Sequence, residues 1–139
     1  MKYKVLTGHG APAPKIPKPE VSPLPSLLTV QDGLPVIYGD TAPTCGIRVV
    51  HPSNPKAPSK NHSVVILYVP PQGEMELHSH ETEETYSVLS GRGVLLTRSG
   101  QHEIGPGHHI YLPSWCEHGI INTGTEVLVA LLSTSPPNH

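Results

Sequence analysis

Phenylalanine is absent from this 139-residue chain, and tyrosine and tryptophan together supply only 4% of it. The core is therefore left to Val, Ile and Leu. Cysteine is nearly as scarce. Cys45 and Cys116 lie far apart, so there is no disulfide framework and no CxxC pair, and both are read as free thiols in a reducing compartment. Charge of neither sign dominates: the formal net charge is −2 and the Lys and Arg residues are scattered. That excludes the basic surface a nucleic acid or an acidic membrane would need. The longest apolar run, from Val64 to Val69, is a strand's length and far short of a membrane span. Lys2 and Lys4 near the start are not followed by a signal-like hydrophobic segment, so a cytoplasmic location is expected. GxSxG, P-loop and dinucleotide fingerprints are also missing. Nucleophile, phosphate-cradle and dithiol mechanisms have no foothold.

Proline, by contrast, is abundant. Eleven of the 17 prolines fall in the first sixty residues, and between Pro12 and Pro25 they come almost every second position. Each removes a backbone donor and biases the preceding residue toward extended geometry, so neither helix nor central strand is expected there. Residues 1–34 are read as a proline-rich arm and residues 35–135 as a single β domain. Short strands are expected at Gly33–Tyr38, Cys45–His51, Ser63–Val69, Thr85–Leu89, Gly93–Arg98, Gln101–Ile104, His109–Leu112, Gly119–Asn122 and Glu126–Ser133. A further strand is expected to carry His78. Gly, Pro and Ser punctuate the intervals, and no helical periodicity of any length appears. An all-β sandwich or barrel follows.

The stretch from Gly73 to Gly91 holds the chemistry. His78 and His80 are two residues apart, which on an extended strand places both imidazoles on one face. Glu84 is another even step away, reached by a short turn or a continuing strand. A third imidazole is available at His118. Three neutral imidazoles and a carboxylate suit one divalent transition metal, with Fe, Mn, Ni, Zn or Cu all compatible. They also leave two positions of an octahedral ion open, unlike a closed structural zinc site.

The spacing resembles the two motifs of the cupin superfamily. In the first, G(X)5HXH(X)3–4E(X)6G, His78, His80, Glu84 and Gly91 match, with Gln72 at the opening glycine's place and Gly73 one residue late. In the second, G(X)5PXG(X)2H(X)3N, Gly107, Pro113, His118 and Asn122 match, and Trp115 replaces the middle glycine. Both motifs lie within residues 73–122. The resemblance implies a jelly-roll β-barrel and identifies His78, His80, Glu84 and His118 as the metal ligands. It also implies an enzyme acting on a small organic acid, diketone, enol or phenol. Dioxygenase chemistry is placed first. A lyase, decarboxylase or isomerase using the metal as Lewis acid is the alternative, and a non-catalytic metal- or small-molecule-binding cupin is the second.

Around this set, Tyr86 is expected to point inward beside the metal as an acid, a base or a hydrogen-bond donor, the alternative being a packed tyrosine. Trp115, Tyr111 and Arg92 are the candidate substrate-pocket residues. Trp115 is read as a stacking wall or as packing, and Arg92 as an anchor for a substrate carboxylate or a solvated hairpin arginine. Cys116 is read as a pocket wall rather than a ligand. The small barrel suggests a homodimer, with the Cys45–His51 strand adding to a partner's sheet edge, or a monomer whose arm covers that edge.

Overall fold

The computed structural model describes residues 4, 6–13, 15–38 and 44–137. Among them the chain forms β1 (Leu34–Tyr38), β2 (Thr44–Val50), β3 (Ser63–Val69), β4 (Glu74–His78), β5 (Glu83–Ser90), β6 (Gly93–Thr97), β7 (Gly100–Ile104), β8 (His109–Leu112), β9 (His118–Ile121) and β10 (Leu128–Ser135). One 3-10 turn, Val30–Asp32, precedes β1, capped by Thr29, whose hydroxyl accepts from the Gln31 N–H. No helix among the described residues is long and apolar enough to cross a membrane. Pro14 of the arm lies outside the described residues.

The strands make two antiparallel sheets, one ordered β1-β2-β3-β10-β5-β8 and the other β4-β9-β6-β7. Alternation drives their assembly. β3 reads buried, half-buried, buried along its whole length, and β5 and β10 do the same over most of theirs. Val65, Leu67, Val69, Tyr86, Val88, Leu112, Ala130 and Leu132 from the larger sheet meet Leu95, Ile104 and Ile120 from the smaller. This is the jelly-roll barrel, with the apolar cluster as its core.

Among the described residues the Cys45–His51 segment is not a sheet edge. As β2 it pairs with β3 on one side and β1 on the other within the same sheet. Sequence spacing could not distinguish the two, because an edge satisfied by its own chain and one satisfied by a neighbour have the same pattern. Two other boundaries shift for local reasons. β5 starts at Glu83, so Glu84 is on the strand and the turn before it is confined to residues 79–82. β10 starts at Leu128, because Asn122 ties residues 122–126 into a loop. Its buried Nδ2 donates to the carbonyls of Val69 (2.9 Å) and Glu126 (2.7 Å), and its Oδ1 accepts from the Gly124 N–H (2.9 Å).

Candidate metal centre

β4 and β9 bring the first two imidazoles together. His78 is paired directly opposite His118 in the antiparallel ladder, so both side chains leave the same face. Their ring centroids are 4.3 Å apart. His80 lies just beyond the end of β4 and reaches the same point from the 79–82 turn, its ring 4.8 Å from that of His118. Donor atoms of the three histidines all fall within 4.8 Å of one another. β5 supplies the carboxylate: Glu84 Oε1 is 3.2 Å from His80 Nε2 and 3.5 Å from His118 Nε2. Glu84 is buried, and His118 has no solvent exposure.

Backbone carbonyls set the tautomers. His78 Nδ1 is 2.7 Å from the Glu76 carbonyl, His80 Nδ1 is 2.9 Å from that of Thr82, and His118 Nδ1 is 2.8 Å from that of Cys116. A carbonyl can only accept, so each Nδ1 carries the proton and each Nε2 keeps its lone pair. Three lone pairs therefore converge beside a buried carboxylate. His118 Nε2 is buried without any hydrogen-bond partner. Lone pairs and a carboxylate repel one another unless a cation lies between them, so this donor set fits a divalent metal. The pinned Nδ1 atoms are the outer contacts that hold metal-binding imidazoles in place. Burial, followed by the fields of His118 and His80, also lowers the pKa of His78 and favours its neutral, ligating form.

Tyr86 lies on β5 two residues past Glu84, only 1% exposed, with its ring edge-on to His118 at 5.8 Å. Burial first, then the charge of Glu84 and a hydrogen bond to it, push the phenol well above its ordinary pKa. It is a neutral donor at the floor of the site. Trp115 is 65% exposed, with its backbone N–H donating to the His80 carbonyl at 2.8 Å. An open depression of about 330 Å³ lies beside it, lined by Thr97, Arg98, Ser99, Cys116 and Glu117. Cys116 offers the cluster its carbonyl, not its thiol.

Tyr111 and Arg92 are not brought to the histidines. Tyr111 pairs with Thr85, on the face of β5 opposite to Glu84 and Tyr86. It is exposed, and its hydroxyl donates to Glu83. Arg92 is in the turn after β5, eight residues along from Glu84, and lines a separate depression with Gly91, Pro106, Gly124, Thr125 and Glu126. His109 bonds to Ser87 and His108 accepts from the Gly105 N–H, so neither joins the cluster.

Two residues near the site were missed, Tyr38 and Arg48. Arg48 is opposite Val65, a core residue, so it faces inward, and Tyr38 packs against the same core. The signal was present in Gly46-Ile47-Arg48-Val49. An arginine in phase with Gly46 shares its face, and Gly46 faces in.

The family model described as Cupin domain matches residues 65–134. An uncharacterized protein of Methanocaldococcus jannaschii is 33% identical over 91 residues, which is 65% of this chain and 71% of that protein. Among solved structures, the polyketide cyclase RemF from Streptomyces resistomycificus superposes with a TM-score of 0.69 at 20% identity, covering 81% of this chain and 80% of that one. A predicted oxalate decarboxylase from Thermotoga maritima superposes at 0.67, also at 20% identity, over 79% of this chain and 98% of that one. These two likenesses establish the fold.

Proposed function

The chain belongs to the cupin family, and from that premise we propose that it is a mononuclear metal-dependent enzyme acting on a small organic molecule, with dioxygenase-type chemistry as the first reading. One observation carries the proposal: three Nε2 lone pairs converge beside Glu84, each set by a carbonyl on its Nδ1. His78, His80, His118 and Glu84 would hold the metal, leaving an octahedral ion two further positions. A bound Fe, Mn, Ni, Zn or Cu ion would supply Lewis acidity and, for the redox-active ones, a place for dioxygen beside the substrate.

The chain's own residues do the rest. Tyr86 stays protonated beside Glu84, where its hydroxyl can orient the carboxylate's lone pairs. Its raised pKa makes it an orienting donor in place of a base for a substrate proton. Trp115, clasped to His80 through its backbone N–H, stands beside the cluster and offers an exposed apolar face to an entering molecule. The second reading is a lyase, decarboxylase or isomerase in which the metal acts only as Lewis acid. The named activities of the two structural neighbours, a cyclase and a predicted decarboxylase, favour it.

The test is oxygen uptake and substrate loss after reconstitution with Fe(II) or Zn(II), in air and under nitrogen. The substrates are a panel of β-diketones, enediols, catechols and short organic acids. Turnover with Fe(II) that stops under nitrogen supports the dioxygenase. Turnover with either metal in both atmospheres moves the assignment to the Lewis-acid reading. No turnover with any metal, alongside tight metal binding, points to the non-catalytic cupin.

We also infer a homodimer. Val21, Leu24 and Leu27 recur every third residue, the repeat of a polyproline II helix, and all three are exposed. The outward faces of β2, β3 and β10 carry Ile47, Ile66 and Leu131 side by side. An apolar edge and an apolar sheet suit each other across two copies. Cys45 on the outward face and Cys116 against the core are both free thiols, which suits a reducing, cytoplasmic setting.

A further inference from the structure

Arg48 is a half-buried charged group on the inner face of the larger sheet that neither the metal ligands nor the apolar core accounts for. Its place is fixed by register. On the inner face of the larger sheet, Arg48 on β2, Val65 on β3, Leu132 on β10 and Tyr86 on β5 lie in one cross-strand row. Glu84 is the next inward residue of β5 after Tyr86. Arg48 therefore faces the barrel interior from the same sheet as Tyr86 and Glu84, three strands along from them.

One of its nitrogens is orphaned inside the protein. Nε is buried with no hydrogen-bond partner. The ion pairs of the described residues are Lys56–Asp32 and the contacts of Glu84 with His80 and His118, so Arg48 is in none of them. A permanently charged guanidinium facing a protein interior without an acceptor is costly, and an anion that supplies the missing oxygens removes the cost. Its planar fork matches a carboxylate, which accepts two parallel N–H bonds.

The surroundings are built to hold it. The β2–β3 register shifts between Arg48 and Val50, the kind of bulge that re-aims a side chain. Asn54, buried, fastens that bulge by donating to the carbonyls of Val49 (2.8 Å) and Asp32 (3.1 Å). Beside it, the Tyr38 ring lies over Gly46. A Cβ there would meet Tyr38 Cε2 at 2.9 Å and the phenol oxygen at 3.3 Å, so glycine makes the room. Burial raises the Tyr38 pKa, while Arg48 lowers it and Glu84 raises it, which sets the phenol within the fields of both. Tyr38 is thus a neutral donor next to a fixed cation.

We propose that Arg48, with Tyr38 beside it, binds the carboxylate of the substrate, so that this site takes small organic acids in preference to neutral diketones or phenols. This rests on the reading of the histidine cluster as a metal centre. The acid lies between Arg48 and the metal ligands, its carboxylate on the guanidinium and its remaining oxygen donors toward His78, His80 and His118.

The test uses the full chain loaded with Co(II), whose visible spectrum reports on ligands arriving at the metal. Cobalt content is measured first, then malonate and the neutral chelator acetylacetone are titrated into wild type, Arg48→Met and Arg48→Lys. The expected result is tighter binding of malonate than of acetylacetone by wild type. Arg48→Met should lose at least tenfold in malonate affinity, with cobalt content and acetylacetone affinity unchanged. Arg48→Lys, which keeps the charge but not the fork, should lose less and stands in if the Met variant fails to fold. Unchanged malonate affinity in a cobalt-replete variant, or a wild type indifferent to the carboxylate, overturns the anchor alone. A wild type that takes up no cobalt overturns the metal reading and this proposal with it.

Discussion

At Gln72 and Trp115 the backbone takes left-handed values, φ 65° and 66°, the only non-glycine residues among those described to do so. They are the two positions where the cupin motifs carry glycine and this chain does not. The mismatch that spacing revealed as a departure is thus a pair of strained turns. A left-handed L-residue costs about 1–2 kcal/mol. At Trp115 that conformation aims the N–H at the His80 carbonyl, so the second motif clasps the first. Trp115→Gly should therefore raise stability by about 1 kcal/mol while keeping the clasp, measured by urea unfolding. A loss of stability would mean that the indole packs more than it strains.

The tyrosines predict a pH dependence at the same scale. Burial raises the pKa of both Tyr86 and Tyr38 in the folded chain. An unfolded tyrosine loses its proton near pH 10. The folded state then holds protons that the unfolded state has released, so stability is intact below pH 10 and is lost as pH rises above it. Each such group removes up to about 1.4 kcal/mol per pH unit. Urea midpoints at pH 8 and pH 11 should differ less for Tyr86→Phe than for wild type. Equal losses would place the alkaline sensitivity elsewhere.

Among the elements, β4, β5 and β9 matter most, since they carry the cluster. The HxH spacing predicted one strand face for His78 and His80. The strand instead ends at His78, and a turn delivers His80 to the same side. The outcome was legible because an even step and a short turn both return a side chain to one face. The means was not, because it depends on carbonyls of Thr82 and His80 that no spacing reveals. Asn122 shows the same limit. Its place in the motif was plain, but its work, holding the β9–β10 loop through three hydrogen bonds, appears only in three dimensions. Asn122→Ala leaves two carbonyls and an N–H without a partner in or near the core, so a loss of about 2–4 kcal/mol is expected. Calorimetry that finds less than 1 kcal/mol would show that water replaces it there.

On the scale of the whole molecule, alternation of Val, Ile and Leu with polar residues announced an all-β barrel. Tyr111 and Arg92 were misplaced because proximity to a motif in sequence says nothing of the strand face or strand end. Arg48 and Tyr38 were missed for the converse reason: they come from the first two strands, remote in sequence from both motifs. The arm is the remaining question at this scale, with Leu24 and Leu27 exposed at 91% and 101%. Sedimentation of the full chain should give the mass of a dimer, and removal of residues 1–29 should give a monomer. Equal masses before and after truncation would take the arm out of the interface.

In the proposed metal centre His78, His80, His118 and Glu84 together grip one ion. Elemental analysis of protein purified without added metal, on wild type and on His80→Ala, tests it most directly. The expected result is about one equivalent of a divalent transition metal in wild type and a small fraction of that in the variant. A variant that keeps its full complement, or a wild type that carries none and acquires none on dialysis against Fe, Mn, Ni, Zn or Cu, would contradict it.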